Sequence, residues 1–203
     1  AQNAAKLATS NWQRAMVNTY QVVAAKADAI EKETKPVDIP HAGEHGTEWG
    51  TTIHALLEAA MGNPEADLES LARTWIEETS LTLDAVAPLL ETVARVQVSA
   101  IWKRANESPQ RLVEAPFIRL ATGEETKLIR GVIDLAFLEG NSWVLVDYKS
   151  DRVGKDADKA EATLRSRYQA QLDAYAEAWE QVTGQKVSER GLLLTHYDRY
   201  VTV

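Results

Sequence analysis

KLIRGVIDLAFLEGNSWVLVDYKSDR (residues 127–152) is the stretch whose reading decides the fold. Val144, Leu145, Val146 and Tyr148 favour a buried strand, yet Asp147 and Lys149 sit among them. Charged side chains enter a core only when they are paired or bind a metal. Gly140-Asn141 is a good two-residue hairpin turn between two strand-like runs, 127–139 and 142–149. With those two residues as the loop, 139 faces 142, 138 faces 143, 136 faces 145 and 134 faces 147. Asp134 then lies opposite Asp147 on one sheet face, with Cβ atoms about 4.5–5.5 Å apart. Lys149, two residues beyond Asp147, joins that face.

Two carboxylates this close repel unless a cation intervenes. Lys149 supplies one positive charge, so a salt-bridged sheet face is one reading. A divalent metal is the other. Hard cations such as Mg²⁺ take carboxylate and carbonyl oxygens and keep several waters. The Tyr148 carbonyl, between the two charged side chains, offers a further oxygen. Such a site activates water and neutralises a phosphoryl group. Lys149 would then orient the attacking water or stabilise the transition state. Replacing either aspartate by alanine should stop this chemistry and, by removing repulsion, leave the fold intact.

The 203 residues suffice for one sizeable domain, and 45% hydrophobic with 26% charged residues reads as a soluble globular protein. No apolar run approaches the ~20 residues needed to span a bilayer, so no membrane partner is expected. The start AQNAAKLATS has no apolar signal-peptide core, and its first residue, Ala rather than Met, fits a segment processed or excised from something longer, or a removed tag. Cysteine is absent. That excludes disulfides and Cys-ligated clusters and fits a reducing, cytoplasmic setting. The net charge of −8 argues against nonspecific capture of a phosphate backbone. Residues 149–167 depart from this balance, with six basic groups against four acidic ones. Arg152, Lys155 and Arg165 in this segment are candidate contacts for an anionic partner; a solvated loop and helix start is the plainer reading.

Residues 1–40 look helical, with Trp12, Met16, Tyr20, Val23, Ala27 and Ile30 on one stripe. A Pro/Gly-rich segment follows, and a second helix starts near Trp49 and stops at Gly62. Asp67 can cap a third helix. A fourth is predicted from about Asp84 to Ala105, with Pro88 near its start. The period then alternates: strands at 111–120 (Pro116 favouring an edge), 127–139 and 142–149, a long helix ending at Gly184, a strand at 191–195 and a short one at the end. Helices followed by β-β-β-α-β give an α/β layout with a mixed sheet. The six tryptophans are expected in the core, with Trp143 open, and His41, His45 and His196 in loops with no role.

GVIDLAF…WVLVDYKSDR resembles the D…(D/E)-x-K motif of PD-(D/E)XK nucleases. YQAQLDAY (168–175) is similar to the Q-x-x-x-Y motif of their RecB subfamily, with Gln171 and Tyr175 one helical turn apart. WGTTIHALLE (49–58) is similar to the subfamily's G-T-x-x-H-x-x-L-E segment, and VEAPF (113–117) resembles its E-x-P-F strand. Order and spacing over 49–203 are closest to the C-terminal nuclease domains of AddA-type and RecB helicase–nucleases. Ile133 stands where the wider family has Pro. The branch that carries an iron–sulfur cluster needs four cysteines, so none is expected here.

The resemblance implies a restriction-endonuclease-like core (mixed sheet, αβββαβ) over 46–203, with 1–45 an N-terminal helical extension and linker from a parent helicase. It implies a Mg²⁺-dependent DNA exonuclease, with Mn²⁺ substituting, fed single-stranded DNA by the helicase during double-strand break processing, beside a second helicase–nuclease subunit. It implies metal ligation by His54, Asp134, Asp147 and the Tyr148 carbonyl, and catalytic roles for Asp134, Asp147, Lys149, Gln171 and Tyr175. For Gln171 and Tyr175, contact with DNA, an outer metal shell and a helix-to-sheet lock all remain open. Glu114 is either an auxiliary acid near the metal or an ordinary strand charge. Two other readings are a standalone phage- or CRISPR-type exonuclease and a catalytically silent nuclease fold that binds DNA or a partner.

Overall fold

The computed structural model describes residues 21–24, 46–121 and 127–203. Helices α1 (Gly46–Gly62), α2 (Leu68–Glu77), α3 (Val86–Gln97) and α4 (Ala100–Glu107) follow strand β1 (Gln21–Ala24). Strands β2 (Arg111–Ala121), β3 (Lys127–Glu139) and β4 (Ser142–Lys149), helix α5 (Ala157–Thr183) and strands β5 (Val187–Leu194) and β6 (Arg199–Thr202) complete the order. The αβββαβ order expected from the sequence is therefore present, in a mixed six-stranded sheet. Its path is β1-β3-β4-β5-β6, with β2 along the other side of β3. The β4–β5 and β1–β3 pairs are parallel and the rest antiparallel. Among the described residues, no helix is long and apolar enough to cross a membrane.

Two expectations change. Gln21–Ala24 is a strand, not part of a helix, and pairs in parallel with Lys127–Arg130. Two adjacent valines favour extended backbone. The β4 hairpin covers β3 only over 135–139, so the first half of that edge is open for β1. The rest of the N-terminal stripe lies outside the described residues. The helix predicted over 84–105 is a 3₁₀ turn (Leu83–Ala85) and two helices. Ser99 breaks it: its backbone is extended and its hydroxyl accepts the Trp102 N–H, an N-cap inside an otherwise continuous apolar pattern.

The hairpin forms as read, with Leu138 opposite Trp143 and Ala136 opposite Leu145. Gly140 takes φ +59, the conformation that the first turn position demands. The sheet is covered on both faces. Leu135, Phe137, Val144, Val146 and Tyr148 pack against α1–α4. Ile129, Ile133, Ala136, Trp143 and Leu145 pack against α5. Trp49, Trp102, Trp143 and Trp179 are all buried.

This division carries an irregularity. Ile133 and Ala136 share a face, which strict alternation forbids. On β2, Ala115 faces α5 while Val113 packs on the opposite layer. Both strands slip by one residue at the same level, so their register survives. The residues at the slip are Glu114, with φ +47, and Asp134. A non-glycine residue in that region costs on the order of 1–3 kcal/mol and is held only by its surroundings.

Arg104 ties α4 to the sheet. Its guanidinium grips Glu139 of β3 (2.8 Å) and Glu189 of β5 (2.9 Å), and Tyr200 donates to Glu189 (2.7 Å). Arg104 holds both carboxyls below the ordinary range. A depressed carboxyl pKa stabilises the fold above the unfolded value and loses that contribution as pH falls through the folded one. Arg104→Ala should therefore cost about 1–2 kcal/mol at neutral pH, allowing for solvent screening of these part-exposed groups. Urea unfolding at pH 7 and pH 3 checks this. A difference undiminished at pH 3 would assign the effect to packing of Arg104 over the Phe137 ring instead.

Candidate functional site

The slip at Glu114 and Asp134 opens a fork. The β3–β4 ladder ends at Leu135–Val146, one pair before Asp134 would meet Asp147. Asp134 fills the gap by accepting the Tyr148 N–H at 2.5 Å. Its carboxylate thereby stands beside the end of β4, 7% exposed.

Helix α1 brings His54 to the same point. Gly50, one turn earlier, passes so close to the loop after β4 that a Cβ there would lie 2.8 Å from the Ser150 hydroxyl. Ile53 and Leu57 anchor the helix in the core, and His54 is left facing the fork. Its Nδ1 lies 3.5 Å from Asp134 Oδ1, and its Nε2 lies 3.0 Å from the Tyr148 carbonyl. Burial opposes protonation of His54, but the Asp134 carboxylate outweighs it and raises the imidazole pKa.

His54, Glu114 and Asp134 each present a ligand atom, all within 4.8 Å of one another. The left-handed backbone at Glu114 is what turns this acid toward Asp134, so the residue read as auxiliary stands inside the group. Burial and the Asp134 charge push the Glu114 carboxyl up.

Asp147 stands beside this group, 3% exposed, with its own partners. Lys149 forms an ion pair with Oδ2, and the Gln171 amide donates to Oδ1 at 3.1 Å. The same amide nitrogen donates to the Tyr175 hydroxyl at 3.1 Å. Gln171 and Tyr175 therefore sit behind Asp147, on α5, away from the cleft wall. Burial and Asp134 raise the Asp147 carboxyl, against Lys149. Burial opposes the Lys149 charge, but Asp147 and Asp134 outweigh it and raise its pKa. The ion pair also changes the expectation that removing Asp147 leaves the fold untouched, because Lys149 would lose its counter-charge.

His54, Glu114, Tyr148 and Lys149 open onto a cleft of about 660 Å³ whose wall also includes Glu58 and Arg152, among others. Trp75, read from the sequence as core, and His196, in the β5–β6 turn and read as having no role, also line it. Of the three basic candidates, Arg152 is on the wall, while Lys155 and Arg165 are exposed beyond it.

Three carboxylates face one ammonium, so a half-buried site is left short of positive charge. His54 and the Tyr148 carbonyl complete a donor set of one imidazole and several oxygens. A single imidazole gives one nitrogen to an ion, and one such nitrogen of His54 lies with a Glu114 and an Asp134 oxygen, all within 4.8 Å of one another, a spread that one hard divalent ion can draw together. The residues present thus fit a divalent cation.

Residues 19–199 match the family model described as the PD-(D/E)XK nuclease superfamily. The chain is similar to the A subunit of the ATP-dependent helicase/nuclease of Listeria welshimeri, 35% identical over 161 residues, which is 70% of this chain and 13% of that protein. With the corresponding protein of Alkaliphilus oremlandii it shares 28% identity over 211 residues, 97% of this chain and 17% of that protein. A 71-residue stretch, 35% of the chain, is 49% identical to 6% of the Desulforudis audaxviator counterpart. The chain thus spans less than a fifth of the length of these relatives.

Proposed function

Because the chain belongs to the PD-(D/E)XK nuclease superfamily and is related to helicase/nuclease A subunits, we propose that it is a Mg²⁺-dependent deoxyribonuclease domain that trims single-stranded DNA. The observation that carries this reading is the charge-deficient group of His54, Glu114 and Asp134 beside the Asp147–Lys149 pair. His54, Glu114, Asp134, Asp147 and the Tyr148 carbonyl would hold the ion. Bound there, a divalent cation neutralises phosphoryl charge and acidifies a water molecule. Mn²⁺ suits the imidazole in the set and should substitute.

The chain's own residues do the rest. Lys149 offers its ammonium to the phosphoryl oxygens, where charge grows as the P–O bond breaks. Asp147 keeps that ammonium protonated and aimed. Gln171 fixes Asp147, and Tyr175 fixes Gln171, so both are positioning residues. Arg152, Lys155 and Arg165 guide the DNA backbone along the cleft mouth.

A net charge of −8 makes unaided capture of DNA weak. The helicase/nuclease character of the relatives supports the remedy: a helicase in the same longer chain delivers the strand, beside a second helicase–nuclease subunit, in double-strand break processing. The strand at 21–24 and the family match from residue 19 support a domain edge before Gln21 rather than at residue 46.

The test is cleavage of end-labelled single-stranded and duplex DNA by the purified chain. Mg²⁺ or Mn²⁺ should support cleavage of the single strand, and chelation should stop it. Cleavage that persists in excess EDTA would reject the reading.

A further inference from the structure

We propose that Tyr168 is a positioning residue for Lys149: its ring face, tethered through its hydroxyl to Asp151, holds the lysine ammonium at the angle the phosphoryl group requires. This rests on the nuclease reading of Lys149 and adds a residue to it.

Lys149 has a four-carbon stem with many rotamers, and one ion pair fixes only one direction of its ammonium. The second direction comes from α5. Lys149 Nζ lies 4.5 Å from the centre of the Tyr168 ring. A cation over an aromatic face is attracted by the ring quadrupole, most strongly when water is excluded. Tyr168 is 6% exposed and the Lys149 side chain 13%. The ring cannot drift, because its hydroxyl donates to Asp151, 3.0 Å from either oxygen. Asp151 is held in turn by Arg167 at 3.2 Å. Accepting the phenolic hydrogen bond, Asp151 also enriches the ring in electron density, which strengthens its pull on a cation. Burial and Asp151 push the phenol up to about 12, so the ring stays neutral wherever the enzyme works.

Helix α5 thus serves both members of the charge pair from one face. Gln171 holds the acid at 3.1 Å, and Tyr168, one turn earlier, holds the base. It also gives Asp151 of the DYKSD stretch a task separate from the metal group, since Asp151 bonds Tyr168 and Arg167.

The experiment is single-turnover cleavage of single-stranded DNA at saturating Mg²⁺. Tyr168→Leu should lower the rate constant about 10–30-fold, the range of a desolvated cation–π contact. DNA affinity should stay within about twofold, because Tyr168 acts in the reaction and not in capture. Tyr168→Phe keeps the ring but loses the tether to Asp151, so its rate should fall between those of Tyr168→Leu and the wild type. In a Lys149→Ala background, Tyr168→Leu should add nothing. Multiplying effects, or a Phe variant as slow as Leu, overturn the inference. NMR of ¹³C-labelled lysine gives a readout free of activity: ring current should move the Lys149 ε-protons upfield in the wild type and in Tyr168→Phe, and unshifted protons also overturn it. Full activity in Lys149→Ala would instead sink the nuclease role of Lys149 while leaving this spectral test standing.

Discussion

Asp147→Ala should abolish cleavage, and Asp147→Asn should do so in a protein that still folds. The loss should exceed the ~10²–10³-fold of a single electrostatic contact, because one carboxylate has two tasks. It contributes charge to the metal group, and it pairs with the Lys149 ammonium. The two variants separate chemistry from stability. Alanine strands a buried ammonium and leaves the Gln171 amide without its acceptor, which costs about 3–5 kcal/mol in such pairs. Asparagine keeps the shape and an oxygen for Gln171 while removing the charge. Lys149 loses its counter-charge in both variants, so thermal unfolding should place Asn below wild type and Ala, which also loses the Gln171 bond, below Asn. Single-turnover cleavage should find both inactive across a Mg²⁺ titration. A rate near wild type in Asp147→Asn would remove Asp147 from the site, whatever its effect on stability.

That Asp134 and Asp147 would come near each other was legible because a hairpin turn fixes register by counting. Gly140-Asn141 left one pairing, and the structure has it as far as Leu135–Val146. What happens at the next pair was not legible. Two neighbouring strands slip together at Glu114 and Asp134, so pairing is conserved while both side-chain patterns invert. Each strand alone shows a short apolar run with one acid in it, as an unbroken strand with a buried acid would. Glu114 stands with His54 and Asp134 through a left-handed backbone that no propensity favours for glutamate.

The helical errors have related causes. Ser99 stops a helix although the apolar spacing runs on through it, because a hydroxyl can outcompete the backbone for an N–H. Val22 and Val23 become a strand because of an edge that β3 provides from a hundred residues away. Tyr168 and Asp151 are seventeen positions apart across a loop and a helix start, and only the folded chain brings them together. Local pattern found the strands and the acid pair; what lies between the acids depends on contacts that no local window contains.

Lys149→Ala is the variant that distinguishes a reacting group from a counter-charge. If Lys149 only balances carboxylates, the variant leaves Asp134 and Asp147 with unopposed charge, and more metal should take its place. Activity would then return at high Mg²⁺. The structure favours the other outcome. The ammonium is fixed from two directions, by Asp147 and by the Tyr168 ring, yet it lines the cleft. A group needed only for neutralisation has no use for such fixing. The expected result is a rate constant lowered by about 10²–10³ at every Mg²⁺ concentration, with DNA affinity measured in Ca²⁺ nearly unchanged. Lys149→Arg should recover little, since a planar fork cannot occupy the place of a compact charge between a carboxylate and a ring face. Titrating Mg²⁺ over the range in which wild-type cleavage saturates decides the matter. Full recovery of Lys149→Ala at the top of that range would leave Lys149 a structural cation, and the charge that meets the phosphoryl group would have to come from the metal alone.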